Sequence, residues 1–305
     1  MGRGKEFLER IARGEILVAD GAMGTMLMSH GLKSGEPPES LNLTKSSVLE
    51  LVAREYLDAG ADIIQTNTFG GSPLKLSLYN LDDRTEEINR NAVQAVRRVV
   101  RDAAYVSGSC GPSGKLIKPY GDTESDTMYR SFKRQIASLV EAGVDIICVE
   151  TMTDLTEATL AVRAAKQIDA GVPVMATMTF DPTPKGFYTI MGISIERAIL
   201  GLEDAGADII GSNCGNGIEH MIKIARQFKL HSRLPVIIQS NAGIPEMKGN
   251  KTIYPETPEF MAEKAKELAQ IGVSIIGGCC GTTPEHIKRI CDAVKGNENT
   301  PGNST

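Results

Sequence analysis

The amino-acid sequence predicts an α/β fold, a single-domain (β/α)8 TIM barrel. A phrase made of a helix end, a glycine and an apolar run occurs four times: "DAGADIIQTN" (58–67), "EAGVDIICVE" (141–150), "DAGADIIGSN" (204–213) and "QIGVSIIGGC" (270–279). Four further apolar runs interleave with these, at 15–20, 104–109, 173–180 and 234–240. Eight strand–helix units imply a parallel sheet closed on itself, and 305 residues accommodate the ~250 typical of such barrels. An open doubly wound sheet is the alternative.

Each element follows in order. Residues 1–14 read as a charged, amphipathic helical lead-in. Strand one, "EILVAD", ends at Asp20 and is followed by "GAMGT". The helical "VLELVAREYLDAG" leads to strand two, which ends in "QTNTFGG". "RTEEINRNAVQAVRRVVRD" precedes strand three and its "GSCGPSG" end, and "RSFKRQIASLVEAG" precedes strand four, ending at Glu150 of "VETMTD". "LTEATLAVRAAKQID" leads to strand five, ending in "MTFD", and "ERAILGLEDAG" to strand six, ending at Asn213-Cys214. Strand seven ends in "QSNAG", and "MAEKAKELAQIG" brings the chain to strand eight and Cys279-Cys280. The repeated glycine suits the left-handed residue that ends a helix. The apolar runs suit strands covered on both faces. The barrel is expected over 15–295, with 296–305 a disordered tail or the start of a linker and no second domain.

Composition narrows the function classes. Apolar residues make up 41% and charged residues 23%, with a net charge of −5, so no basic nucleic-acid footprint is expected. No apolar run approaches the ~20 residues of a membrane span, and the charged N-terminus is unlike a signal peptide. Glu6 stands where a myristoylation signal needs Ser or Thr. A cytoplasmic protein is expected, and its six cysteines then point to metal binding or catalysis rather than a disulfide framework.

Barrel enzymes place their chemistry at the C-terminal ends of the strands. Cys214, Cys279 and Cys280 fall at the ends of strands six and eight, and alternate strands feed a common layer. Three thiolates with one open position make a catalytic rather than a structural zinc site. Adjacent cysteines on a regular strand point to opposite faces, so both reach one metal only where the chain leaves strand geometry. Gly277, Gly278 and Gly281 permit that departure. Cysteine also packs as a small hydrophobe, which is the reading for Cys110, Cys148 and Cys291. For Cys279-Cys280 a vicinal disulfide is the alternative, disfavoured in a reducing compartment. None of the four histidines is placed to act as a base beside these thiols.

"DGAMGT", "QTNTFG", "ETMTD", "NCG", "NAGIP" and "GGCCGTTPEHI" together resemble, in order and spacing, the homocysteine S-methyltransferase family. The likeness runs from about residue 10 to 295 and is strongest to the homocysteine-binding barrel of the cobalamin-dependent branch. It implies zinc on Cys214, Cys279 and Cys280, and an amino-group clamp for homocysteine at Asp20 and Glu150. It further implies that Gly21 and Ala22 N–H groups meet the substrate carboxylate, and that Asn213, as a substrate-binding residue, and Asn241 lie behind or at the rim of the pocket, with a strand-end turn the alternative for both. Met23 and the "CGNGIEH" segment depart from the family pattern.

The methyl donor is less determined. Branch members carry a folate barrel and a corrinoid module downstream, so methylcobalamin on a partner protein or module is the expected donor, with methionine as product. "GSCGPSG" lacks the glycine order of a nucleotide loop. Betaine needs a cation–π cage, best built with tryptophan, and the chain has none, so betaine is a disfavoured donor that seven Tyr and seven Phe keep as an alternative. S-methylmethionine as donor, a different thiol as acceptor, and a non-catalytic zinc- or thiol-binding module are the other readings.

Overall fold

A computed structural model describes residues 2–33, 35–249 and 251–296. The tail anticipated over 296–305 therefore lies outside the described residues, apart from Gly296. Eight parallel strands form the barrel, running in chain order Leu17–Val18, Ile63–Gln65, Tyr105–Cys110, Ile146–Met152, Val174–Met178, Ile209–Asn213, Val236–Ser240 and Ile275–Gly278. Each pairs with its sequence neighbour, and strand one pairs with strand eight at Leu17↔Ile275 and Val18↔Ile276. An Ala19↔Ile63 bridge, flanked by Asp20 N–H to Ile63 O at 3.0 Å, joins strands one and two and closes the ring. The expected barrel is what forms, and the open doubly wound alternative falls away.

The repeated phrase now has a physical meaning. Its glycines, Gly60, Gly143, Gly206 and Gly272, all take φ between 86° and 96° at helix ends, where a side chain would be strained. Its aspartates staple the strands at their N-terminal ends. Asp62, Asp145 and Asp208 accept the N–H of Val18, Val106 and Val174 at 2.8, 2.8 and 2.7 Å. Each also meets basic side chains: Arg10 and Lys295, Arg3 and Arg97, and Lys166, respectively. The fourth copy has Ser274 instead and keeps only the backbone bond to Val236 O.

Asp145 is the most enclosed of the three, so Asp145→Ala leaves the buried Val106 N–H without its partner and takes the shared carboxylate from Arg3 and Arg97, which keep only carbonyl and surface partners. The expected loss is about 2–4 kcal/mol of stability, read as a lowered denaturant midpoint. A change below about 0.5 kcal/mol contradicts the staple.

The lower half of the barrel interior is apolar, built from Leu17, Ile63, Tyr105, Ile146, Met175, Ile209, Ile237 and Ile275. Helix Arg3–Ala12 closes this end, driving Phe7 edge-on against Tyr105 at 5.2 Å between ring centroids. The upper half is polar. Gln65, Ser109, Glu150, Thr177, Asn213 and Gln239 are all buried there, beneath the rim where the site forms.

Two β-hairpins, Asp181–Thr183 with Gly186–Tyr188 and Glu246–Lys248 with Lys251–Ile253, were not anticipated. They follow strands five and seven and so flank the end of strand six. No helix among the described residues is long and apolar enough to cross a membrane.

Candidate metal and substrate site

Cys214, Cys279 and Cys280 converge at the C-terminal rim, their three sulfurs within 4.8 Å of one another. Strand six ends at Asn213, and Cys214 then takes φ +60°, an uncommon conformation for a residue with a side chain. That turn is held by Cys214 N–H to Gln239 O at 3.0 Å and Asn216 N–H back to Cys214 O at 2.8 Å. Strand eight ends at Gly278, so both vicinal cysteines lie beyond regular strand geometry, as their shared target requires. Cys279 N–H binds Ser240 O at 2.7 Å, and Cys280 O receives Ala242 N–H at 3.0 Å.

Two glycine-bearing motifs lock this turn from the other side. Gly281 N–H donates to Thr25 Oγ1 at 3.2 Å, and Ala22 N–H donates to Thr282 Oγ1 at 3.1 Å. "GAMGT" and "GGCCGTT" therefore interlock. A Cβ at Gly281 (φ +81°) would come within 2.0 Å of Tyr254 Cγ, which explains the bare backbone there. One expectation is corrected: Ala22 N–H is already used by Thr282, leaving Gly21 N–H, with no partner among the described residues, for a ligand. Tyr56 braces the turn from below through Ala22 O and Thr282 O. Its place inside helix Ser46–Asp58 gave no signal of that role.

The cysteine cluster fits a zinc ion. Tetrahedral Zn–S bonds of about 2.3 Å put ligand sulfurs ~3.8 Å apart, and Cys214 Sγ and Cys280 Sγ are separated by 3.9 Å. All three cysteines are half-buried, so the cluster keeps a face toward solvent. Without a metal, three thiols so close cannot all ionise. Hydrogen bonds from Cys214 and Cys279 lower the Cys280 pKa, while the same proximity raises Cys279. Cys110, Cys148 and Cys291 are buried away from the trio, and burial raises each of their pKa values.

Asp20 and Glu150 face the same cup from strands one and four. Asp20 is 1% exposed; its Oδ2 accepts Gln65 N–H at 2.8 Å, while Oδ1 has no partner. Burial pushes its pKa up to about 8, with the nearby Glu150 adding to the rise. Glu150 accepts from Ser109 Oγ and from Asn213 Nδ2, and burial raises it to about 7. Neither acid has a basic partner among the described residues. Two buried carboxyls and three thiols without a cation form a strongly electron-rich cup. Such a site favours positive charge beside its sulfurs and beside its carboxyls.

Asn241 is buried with Oδ1 unpartnered. Asn216, in the unusual "CGNGIEH" stretch, is buried and ties down the strand-five end through Phe180 O at 2.6 Å. His286 serves structure, accepting Thr283 N–H at 3.2 Å and reaching Glu256 O at 3.1 Å.

The homocysteine S-methyltransferase family model matches residues 17–294. Methionine synthase from Mycobacterium leprae (strain TN) is 34% identical over 308 aligned residues, covering 95% of this chain and 25% of that protein. The Mycobacterium tuberculosis methionine synthase is 35% identical over 296, covering 92% of this chain and 24% of its own length. The chain thus spans about a quarter of these curated relatives. Among solved structures, the metallated homocysteine methyltransferase MmuM from Escherichia coli superposes with a TM-score of 0.75 at 20% identity, over 92% of this chain and 96% of that one. That likeness establishes the shared fold. With a family model covering the barrel from its first strand to its last helix, the chain belongs to the homocysteine S-methyltransferase family.

Proposed function

We propose that this barrel methylates the thiol of homocysteine, using zinc held by Cys214, Cys279 and Cys280 and a methyl group delivered by a corrinoid protein or module. The observation that carries the reading is the three-cysteine cluster beside two buried carboxyls that lack a basic partner. A thiol with a pKa of about 8.5 is mostly protonated at neutral pH. When bound, zinc supplies the positive charge that deprotonates the thiol while its cysteine-rich surroundings keep the sulfur nucleophilic. Asp20 and Glu150 take the substrate ammonium, which satisfies the orphaned Asp20 Oδ1. The Gly21 N–H is the remaining donor for the substrate carboxylate.

Held at both ends, the amino acid presents its sulfur toward solvent, the side from which a methyl donor approaches. In the transfer the sulfur–methyl bond forms as the donor–methyl bond breaks, and the thiol proton has already left. No general base is needed at that step, in keeping with the lack of a histidine in the cup.

The test is the loss of methylcobalamin absorbance on adding protein and homocysteine. Chelator-sensitive conversion to methionine is expected. Zinc-loaded protein that turns over neither methylcobalamin nor a corrinoid-carrying partner overturns the donor assignment, and S-methylmethionine is then the donor to assay.

A further inference from the structure

Asn213 lies fully buried between the carboxyl and sulfur halves of the cup, and every polar atom of its side chain is engaged. Its Oδ1 accepts Thr151 N–H and Thr177 Oγ1, each at 2.8 Å. Because a backbone N–H can only donate, that oxygen assignment is fixed and the amide NH2 must face the other way. Nδ2 there meets Glu150 Oε2 at 3.2 Å and Thr151 Oγ1 at 2.8 Å, and lies 4.0 Å from Cys279 Sγ.

The backbone of strand four is shaped to this side chain. Thr151 takes φ +58°, a genuine outlier for a β-branched residue, and the pairing register with strand five slips between Val149 and Met152. Such a bulge re-aims the neighbouring side chain, here Glu150, and turns an N–H out of the ladder. Asn213 Oδ1 receives that N–H.

Resting on the proposed homocysteine function, we propose that Asn213 is the positioning residue that holds Glu150 for the substrate amino group at a fixed distance from the metal-side sulfurs. It thereby makes the site selective for an amino-acid thiol. Asn213 touches no reacting atom. It acts through Glu150 and Thr151, and its NH2 separates two acceptors that otherwise repel each other.

The test compares calorimetric binding of homocysteine and of 4-mercaptobutanoate, the same thiol without its amino group, to zinc-loaded protein. Asn213→Asp keeps both acceptor contacts of Oδ1 but replaces the donating NH2 with a carboxyl oxygen, which sets a second acid against Glu150 Oε2. The expected result is about 10- to 100-fold weaker homocysteine binding, with 4-mercaptobutanoate within about 2-fold of wild type and zinc content unchanged. Equal weakening of both ligands, or no weakening, overturns the inference. If that variant does not fold, Thr177→Val decides. It preserves side-chain shape and removes one anchor of the amide, so the same selective loss is expected at about 3-fold, and equal or absent loss again refutes the role. A wild type that binds both thiols equally removes the substrate reading itself, whereas a wild-type preference retained in the variant removes only the role of Asn213.

Discussion

Cys279→Ser is expected to purify without zinc and to lose homocysteine methylation by at least about 10³-fold. A serine hydroxyl does not ionise at neutral pH, so the cluster drops from three thiolates to two, and zinc affinity rests on the number of deprotonated ligands. The remaining pair, Cys214 and Cys280, has sulfurs 3.9 Å apart and supplies half a tetrahedron. The fold itself should persist, because Cys279 is fixed by its backbone N–H to Ser240 O and its carbonyl to Thr282, neither of which needs sulfur. Metal analysis and circular dichroism together separate these outcomes. Cys291→Ser is the control: its sulfur meets only Gly60 O, far from the cup, and zinc content should not change. Full zinc occupancy in Cys279→Ser contradicts the ligand assignment.

Asp20→Asn is expected to move stability and binding in opposite directions. A carboxyl raised from 3.8 to about 8 holds its proton more tightly in the folded chain than in the unfolded one. Linkage then requires the folded state to lose stability as pH climbs through that window, the penalty being complete above about 8. An amide carries no such penalty. In the metal-free protein Asp20→Asn should therefore gain on the wild type as pH rises, by about 1–3 kcal/mol at pH 8.5 and little at pH 4.5. The variant should nevertheless bind homocysteine about 100-fold more weakly, since the ammonium loses one of its two charged partners.

Wild-type binding should also weaken as pH falls below about 7, where Glu150 and Asp20 must each surrender a proton to receive the ammonium. Denaturation curves at the two pH values, with binding isotherms beside them, check both halves. A stability difference that does not change with pH removes the burial argument.

Much of this molecule is legible in its sequence. The four-fold phrase announced the barrel because each glycine must end a helix and each apolar run must be covered on both faces, constraints that act within ten residues of chain. The convergence of Cys214, Cys279 and Cys280 was legible because alternation of strands and helices fixes which residues sit at the C-terminal rim.

What only the tertiary structure decided involves partners distant in sequence. That Ala22 N–H is spent on Thr282 depends on a contact across 260 residues, and "GAMGT" gives no hint of it. The aspartates of the repeated phrase carried no signal of their role, because Asp145 meets an N–H on a neighbouring strand and guanidiniums on helices far away in sequence. Asn213 could be placed beside the pocket, yet its grip on Thr151 required the positive φ of that residue, which no local pattern signals. Local propensity and periodicity thus determined the barrel and the address of its site. The protonation of Asp20 and Glu150 and the aim of each donor arose from burial and from the closing of strand eight onto strand one, because desolvation and hydrogen-bond direction are properties of packed space.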